Sequence, residues 1–391
     1  MAELVDLLYW EGFRVAPNIL PSPPNSAHIM YENPRLIIDS SNPPEADSIV
    51  WRSPSNIALI KYWGKHGLQL PRNPSLSFTL AASCTDTALE YEFKDDVHSN
   101  EIDLEFLFHE AENEPFQAKT QAFLNSLLPI FPFLGQLKLS IRTGNSFPHS
   151  AGIASSASGM SALALSLCSL EDRLFGTLQD PAAFDQKASF IARLGSGSAC
   201  RSIFSHAAIW GETSLVSGSS NEYAVPVGDR ISEVFRSMHD DILIVSSGVK
   251  AVSSRAGHAL MDGNPYAEPR YAQARQRLGS LLGAMEAGDL EVFGKIVEDE
   301  ALTLHALMMS SNPSYMLLHP DSVAIIERVR AWRSETKHPV YFTLDAGPNV
   351  HLLYPEDIVV EVRKFIEDEL AEFCENGYVQ NDWVGEGPEE M

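Results

Sequence analysis

The sequence is short of positive charge. Its 391 residues include 28 lysines and arginines against 52 aspartates and glutamates, which gives a formal net charge of −24. Such an acidic chain repels nucleic acid and anionic membrane surfaces, so neither is expected as a partner. A phosphorylated small molecule remains a possible ligand, provided that the few cations are concentrated in one cleft.

Cysteine is scarce, and the histidines are scattered. The four cysteines, Cys84, Cys168, Cys200 and Cys374, form no CxxC pair, which argues against a disulfide framework and against a zinc site. The twelve histidines contain no HxxxH pair. We therefore expect reduced thiols and no transition-metal site of the histidine or cysteine type.

Long hydrophobic runs and a targeting signal are also missing. The longest apolar runs, such as "DILIVSSGV", are far shorter than the roughly 20 residues that cross a bilayer. The amino-terminal "MAELVDLLYWEGF" is acidic and lacks both a basic start and a small-residue cleavage site. These features predict a cytoplasmic protein.

What is present is the composition of a globular protein, with 45% hydrophobic residues. Strand-like and helical patterns mix without strict alternation, which predicts an α+β fold. We divide the chain into a proline-rich, partly ordered extension (1–48), an amino-terminal domain (49–237), a carboxy-terminal domain (238–375) and a tail (376–391).

The stretch "FPHSAGIASSASG" follows a strand and leads into a helix that is predicted to begin around Ser155 to Ser158. A helix amino terminus exposes free N–H groups and a partial positive charge, so it attracts phosphate. Gly152 allows close approach of the backbone, and Ser155, Ser156 and Ser158 add hydroxyls. The stretch is neither a Walker A motif nor GxGxxG. An ordinary serine-capped helix explains it equally well on local chemistry alone.

Two further stretches carry cations. "GSGSACRS" contains Arg201, whose guanidinium binds carboxylate or phosphate in a fork. "SPSNIALIKYWGK" places Lys61 and Lys65 around an aromatic pair and puts the polar Asn56 inside an apolar strand. A surface arginine and an edge strand with solvated lysines are the plain alternatives.

Asp345 ends a predicted strand in "FTLDAGPN" and precedes a glycine–proline turn. This is a typical way to present a carboxylate at the mouth of a cleft, although aspartate also favours turns for local reasons. His305, at helical spacing in "LTLHALM", is interpreted as a packed helix residue.

The four stretches, in this order, resemble those of mevalonate diphosphate decarboxylases of the GHMP kinase superfamily, over roughly residues 49–375. The resemblance implies a GHMP kinase-like two-domain fold and a homodimer. The amino-terminal domain would be ribosomal-protein-S5-like, and the carboxy-terminal domain a ferredoxin-like α/β sandwich. The active site would lie in the cleft between them.

That family uses ATP and Mg²⁺ to phosphorylate the 3-hydroxyl of mevalonate 5-diphosphate; loss of this phosphate and of CO₂ gives isopentenyl diphosphate. By resemblance, Asp345 is the catalytic aspartate, Lys61 the lysine that pairs with it, and Arg201 the arginine that holds the substrate. Further substrate contacts are expected from Asn56, Tyr62, Lys65, Ser198, Cys200 and Ser202. The ATP phosphates would be bound by Gly152, Ser155, Ser156, Ala157 and Ser158, with Ser156 also a candidate contact for Mg²⁺.

The sequence departs from the family pattern in a few places. Ser146 and His149 differ in "NSFPHSAGIASSA", where the family usually has "NNFPTAAGLASSA", and Pro74 replaces an acid. The alternatives are the same chemistry on mevalonate 5-phosphate, a 3-kinase without decarboxylation, and an inactive metabolite-binding paralogue. The presence of both Asp345 and Lys61 favours decarboxylation but does not distinguish one phosphate from two.

Overall fold

A computed structural model describes residues 30–94, 102–147, 153–248 and 252–391. Its strands are β1 (Asp47–Ala58), β2 (Lys65–His66), β3 (Leu70–Pro71), β4 (Ser75–Phe93), β5 (Asp103–Phe108), β6 (Ala111–Glu112), β7 (Leu137–Asn145), β8 (Ala207–Trp210), β9 (Ala224–Pro226), β10 (His239–Leu243), β11 (Tyr341–Thr343), β12 (Val350–Tyr354), β13 (Val379–Gln380) and β14 (Glu389–Glu390). Its α-helices are α1 (Glu114–Ser126), α2 (Ser155–Phe175), α3 (Pro181–Gly195), α4 (Glu233–Arg236), α5 (Ser254–Ala259), α6 (Ala267–Ala287), α7 (Leu290–Met309), α8 (Pro320–Thr336) and α9 (Val359–Phe365). The predicted α+β class is confirmed.

The first sheet has the order β14-β1-β4-β7-β5-β6, with β8 and β9 attached beside β4. Along β7, buried and more exposed residues alternate, as expected of a strand with one face on the core. Helix α2 is apolar through "ALALSLC" and is buried there on all sides. It packs against β1, β4 and α3, so its amino terminus is held at the edge of this sheet.

The second sheet has the order β11-β12-β10-β13. Strands β10 and β12 are buried throughout, because helices cover both faces of this sheet. On one face, the packed residues include Val329 of α8 and Val362 of α9. Strands β11 and β12 form a hairpin, and the turn between them carries Asp345.

A single apolar cluster joins the two sheets. Phe78 of β4 lies 6.0 Å, between ring centroids, from Phe293 of α7. Ile57 of β1 and Ile242 of β10 belong to the same cluster. This continuous core fixes the two halves of the molecule against each other and so fixes the cleft between them.

Part of the predicted extension packs onto the first sheet's core. Leu36 and Ile38 are buried, and the side chain of Gln136 bonds both backbone groups of Ile38, at 2.8 and 2.9 Å. Residues 1–29 lie outside the described residues. No helix in the described part of the chain is long and apolar enough to cross a membrane.

The predicted tail belongs to both sheets. Strand β13 pairs with β10 and β14 pairs with β1, so the segment 379–390 crosses from the second sheet to the first. Between them, the fully buried Asp382 accepts bonds from the backbone N–H groups of Ala81, Ala82 and Ser83, at 2.7 to 2.9 Å. A carboxylate with three backbone donors from the other domain is a strong tether.

Removal of this tether should destabilise the whole chain. Asp382→Ala leaves three backbone N–H groups without their acceptor, so we expect the free energy of unfolding to fall by about 3 kcal/mol. Urea denaturation measures it, with Glu389→Ala on the exposed edge strand β14 as control. A loss no larger than that of the control would contradict the tether.

Candidate active site

A cavity of about 300 Å³ lies in the cleft between the two sheets. Among the described residues, its lining contains the cations Lys61, Lys65, Arg201 and Arg255 and a single carboxylate, Asp345. In a chain of net charge −24, this concentration of positive charge is the reverse of the average surface. The cavity is therefore suited to a ligand with several negative charges.

Lys61 and Asp345 form an ion pair across the cleft. The ammonium Nζ of Lys61 lies 2.8 Å from Oδ1 of Asp345, and the lysine side chain is 1% exposed against 28% for the aspartate. Lys61 follows the end of β1 and comes from the first domain, whereas Asp345 lies in the β11–β12 turn of the second. A buried lysine requires such a partner, and the more exposed carboxylate lines the cavity.

Arg201 is buried in the short 3-10 helix Gly197–Ile203 and is held from one side. Its Nε donates to Oγ of Ser77 at 3.0 Å and its Nη2 donates to Oδ1 of Asn56 at 3.2 Å. Asn56 follows a register shift in β1, which turns its amide toward this helix. The Nη1 atom is buried and has no partner among the described residues. Burial lowers the pKa of Arg201, and the unpaired nitrogen is suited to an anionic ligand.

Tyr62 presents a second unsatisfied group. Its hydroxyl is buried in the cavity lining without a hydrogen-bond partner in the described part of the chain, and burial raises the pKa of this phenol. The ring packs between Trp210, at 4.7 Å, and His258, at 4.4 Å. Gly197 is required beside it, because a Cβ there would lie 2.9 Å from the Tyr62 hydroxyl.

The amino terminus of α2 borders the same cavity through Ala154 and Ser156. The helix begins at Ser155, within the predicted range, and no side chain among the described residues caps it. Ala154, before the helix, has φ 44°, in the left-handed region. The Ser156 hydroxyl is exposed and lies 3.2 Å from the hydroxyl of Ser196. A helix amino terminus with two hydroxyls beside it is suited to an anion.

Ser156 also borders a second, mainly apolar cavity of about 350 Å³. Its walls include the rings of Phe106, Phe108 and Phe116, and Ser155 lies at its edge. A ligand bound at the start of α2 therefore has the cationic cavity on one side and an apolar pocket on the other.

The structure brings together Lys61, Tyr62, Lys65, Ser156, Ser198, Arg201 and Asp345 around the first cavity. Asn56 and Ser202 lie behind it, where the Asn56 amide donates to the Ser202 hydroxyl at 2.8 Å. Cys200 is fully buried and its thiol donates to the carbonyl of Gly197, so it faces away from the cavity.

Of the predicted phosphate-binding residues that the structure describes, Ser156 lines the first cavity, and the others do not. Ser158 is fully buried and accepts a bond from Thr85, at 2.6 Å, because it lies on the sheet side of α2. Ala157 is buried on α2 as well. Gly152 and His149 lie outside the described residues. Ser146 bonds the backbone of Cys84 at 2.9 Å, away from the cavity.

Several residues that border the cavity were not predicted from the sequence. Arg255 and His258 of α5 line the cavity, and the signal for them was weak: one arginine after a pair of serines in "VSSRAGH". Arg255 and burial together lower the pKa of Lys65, with burial the larger cause. His305 is a buried helix residue, as interpreted, but its Nε2 lies 3.1 Å from the backbone carbonyl of Asp345.

Two sheets with a cationic cleft between them, a helix amino terminus beside the cleft and a buried lysine–aspartate pair define a GHMP kinase-like two-domain protein. The comparisons then identify the family. Residues 53–221 match the diphosphomevalonate decarboxylase-like N-terminal domain, and residues 241–382 match the mevalonate 5-diphosphate decarboxylase C-terminal domain. The chain belongs to the diphosphomevalonate decarboxylase family, and the resemblance seen in the sequence is confirmed.

Curated members of this family are similar in sequence to most of the chain. The diphosphomevalonate decarboxylase of Saccharomyces cerevisiae is 32% identical over 323 residues, which covers 77% of this chain and 76% of the relative. That of Candida albicans is 31% identical and covers 78% of this chain and 83% of the relative.

Solved structures agree as well. Mevalonate diphosphate decarboxylase from Staphylococcus aureus superposes with a TM-score of 0.75 at 26% identity, covering 88% of this chain and 98% of that one. A structure described as "MDDEF in complex with MVAPP, AMPPCP and Magnesium" has a TM-score of 0.73 at 28% identity, with 88% and 99% covered. The expected two-domain fold is confirmed.

His258 should make stability depend on pH. The backbone N–H of Gly64 donates to its Nδ1 at 3.0 Å, and burial, with a smaller effect of Lys65, lowers the pKa of His258 from 6.5 to about 3. Below pH 6.5, His258 takes up a proton in the unfolded chain but stays neutral in the folded chain. The stabilisation is therefore complete above that pH and is lost as the pH falls toward 3.

His258→Asn keeps an acceptor for Gly64 but cannot titrate. Between about pH 7.5 and about pH 5.5, urea denaturation should show that the unmodified chain loses about 1.4 kcal/mol more stability than this variant. Equal losses in the two proteins would contradict a neutral, buried His258.

Proposed function

We propose that this protein catalyses the ATP-dependent decarboxylation of mevalonate 5-diphosphate to isopentenyl diphosphate. Lys61 and Asp345 carry this proposal, because their ion pair places an oriented carboxylate in a cationic cleft of a diphosphomevalonate decarboxylase family member. A relative of known structure binds MVAPP, AMPPCP and magnesium in one complex.

Asp345 is the proposed base of the first step. A tertiary alcohol is a poor nucleophile, so its proton must be accepted as the oxygen attacks the terminal phosphate of ATP. The Lys61 ammonium, 2.8 Å away, favours the ionised carboxylate and fixes its direction. ADP leaves, and the substrate carries a phosphate on its 3-oxygen.

Arg201 and Tyr62 are proposed to hold the substrate for the second step. Nη1 of Arg201 and the hydroxyl of Tyr62 are buried donors without a partner among the described residues, so they are available to an anion. The C3–O bond breaks and phosphate leaves. The C1–C2 bond then breaks, CO₂ leaves, and its electron pair forms the C2=C3 double bond. Lys65 and Arg255, which line the cavity, are proposed to bind the substrate diphosphate through their positive charges.

The start of α2 is proposed to bind the ATP phosphates, with the nucleoside in the apolar cavity that Ser156 also borders. Exposed N–H groups and the hydroxyls of Ser156 and Ser196 suit phosphate oxygens. Mg²⁺ bound to these phosphates would neutralise part of their charge, and Ser156 is the candidate contact from this chain. The described residues contain no cluster of histidine, cysteine, aspartate or glutamate that could hold a metal by itself.

The remaining expectations belong to the same proposal. A boundary near residue 238 separates the two domains, the protein forms a homodimer as the family resemblance implies, and it works in the cytoplasm. The four cysteines are free thiols, in keeping with a reducing compartment. Light scattering of the purified protein tests the dimer.

One assay tests the reaction. Purified protein with ATP and Mg²⁺ receives mevalonate, its 5-phosphate or its 5-diphosphate, and ADP and CO₂ are measured separately. We expect equal amounts of ADP and CO₂ with the 5-diphosphate. Release of ADP without CO₂ would overturn decarboxylation, and activity confined to the 5-phosphate would overturn the substrate.

The role of Asp345 has its own test. Asp345→Asn removes the base but keeps the shape, so we expect turnover to fall at least about a thousandfold. Substrate affinity by calorimetry should change by less than about tenfold. Asp357→Asn, an exposed site in the same domain, is the matched control and should keep full turnover. Near-normal turnover of Asp345→Asn would remove this residue from its role.

A further inference from the structure

One helix contacts the backbone of both members of the Lys61–Asp345 pair. Helix α7 carries Glu300, whose Oε2 accepts the backbone N–H of Lys61 at 2.9 Å. It also carries His305, whose Nε2 lies 3.1 Å from the backbone carbonyl of Asp345. Neither side chain lines the cavity, so neither is placed to touch the substrate.

Glu300 is held rigidly. It is fully buried and accepts two bonds from Arg270, at 2.5 and 2.7 Å, and one from Arg277, at 2.9 Å. Burial by itself would raise the pKa of Glu300, but the hydrogen bonds and charge of the arginines outweigh it and the pKa is lowered. Glu300 is therefore an ionised, fully bonded acceptor for the Lys61 N–H group.

The carbonyl of Lys61 is held at the same time. Nδ2 of Asn73 donates to it at 3.2 Å, and Nη2 of Arg270 reaches it at 3.5 Å. Both polar groups of this residue's backbone are thus bonded, and the bond to its N–H reaches into the second domain. The start of the lysine side chain is fixed before any ligand binds.

His305 contacts the other residue of the ion pair, Asp345. A carbonyl oxygen accepts only, so the Nε2 atom of the imidazole must carry the hydrogen and donate. The same carbonyl also accepts the backbone N–H of Gly347 at 2.8 Å, and the two bonds fill its two lone pairs. His305 is 2% exposed, so this bond is shielded from water.

We propose that α7 sets the distance between the two catalytic side chains, with Glu300 and His305 as positioning residues. This inference rests on the proposed function of the Lys61–Asp345 pair. Five residues of helix separate the two contacts, about 7.5 Å along the axis, and a packed helix does not change that length. Lys61 comes from one domain and Asp345 from the other. A single rigid helix therefore sets the distance between them that the reaction requires.

Loss of either contact should therefore lower kcat and leave KM nearly unchanged. A displacement of about 1 Å at a reacting group costs about a hundredfold in rate. His305→Leu keeps the size and removes the donor, and we expect kcat to fall 10- to 100-fold, with KM for both substrates within about threefold. His305→Gln restores an N–H donor near the Nε2 position and should recover kcat to within about threefold of the unmodified enzyme.

His239→Leu is the matched control. His239 is another buried histidine in the same domain, and its Nε2 is bonded to the Glu356 carboxylate. Its backbone pairs with Tyr354, at the far end of β12 from Asp345. This variant should keep kcat. A His305→Leu enzyme with normal kcat, or a His305→Gln enzyme as slow as His305→Leu, would overturn the positioning role.

A crystal structure of each variant separates this inference from the proposed function. In His305→Leu, the Lys61 Nζ to Asp345 Oδ1 distance should lengthen beyond about 3.5 Å, and in His305→Gln it should stay near 2.8 Å. An unchanged distance in His305→Leu would overturn the inference even if the enzyme is active. If instead the unmodified protein does not decarboxylate the substrate, the proposed function is wrong. The Lys61–Asp345 distances in the variants still test the positioning role.

Glu300→Gln tests the other contact. It keeps an oxygen acceptor for Lys61 but loses the charge that anchors Arg270 and Arg277. We expect a tenfold or larger loss of kcat with KM nearly unchanged, in protein shown by circular dichroism to be folded. Full kcat in that folded variant would remove Glu300 from the proposal, and if it does not fold, the His305 series decides.

Discussion

Lys61 and Asp345 reach each other from different domains, and much of the structure serves to hold that contact. A lysine with 1% exposure would be strongly destabilising without a carboxylate, so the ion pair exists only while the two domains stay in register. The apolar cluster around Phe78 and Phe293 fixes the domain faces, and Asp382 ties the last strand segment back to the first sheet. Helix α7 then adds hydrogen bonds to the backbone of both residues of the pair.

The charge of the cleft is opposite in sign to the net charge of the chain. The chain has a formal net charge of −24, but the cavity lining contains Lys61, Lys65, Arg201 and Arg255. Two donors there, on Arg201 and Tyr62, are buried without partners among the described residues. Unpaired buried donors cost free energy in the empty protein. An anionic substrate recovers that cost, so the site gains affinity and orientation from the same atoms.

Some of this could be read from the sequence, because short motifs encode local backbone geometry and chemistry together. "FTLDAGPN" places Asp345 in a turn after a strand, as predicted. "GSGSACRS" indicated Arg201 as an anion contact, but the motif alone was equally compatible with a surface arginine, and the burial of Arg201 depends on distant segments. Cys200 has the right neighbours in the chain but points into the core, since one residue's direction on a helix depends on packing.

Contacts between distant segments were not readable. Glu300 meets Lys61 across 239 positions of sequence, and Asp382 meets Ser83 across 299. His305 looked like any apolar-face histidine, because the carbonyl that it contacts is set by the hairpin turn and not by its own neighbours. The final segment looked like a tail, since two-residue strands such as β13 and β14 have no periodicity to detect.

The most direct measurement is a crystal structure of the unmodified protein with mevalonate 5-diphosphate and a non-hydrolysable ATP analogue. We expect the substrate 3-hydroxyl oxygen within about 3.2 Å of an Asp345 carboxylate oxygen, with the Lys61 ion pair kept. We also expect the substrate carboxylate on Nη1 of Arg201. A 3-hydroxyl that lies beyond hydrogen-bond reach of Asp345, with another side chain in its place, would contradict the proposed role of Asp345.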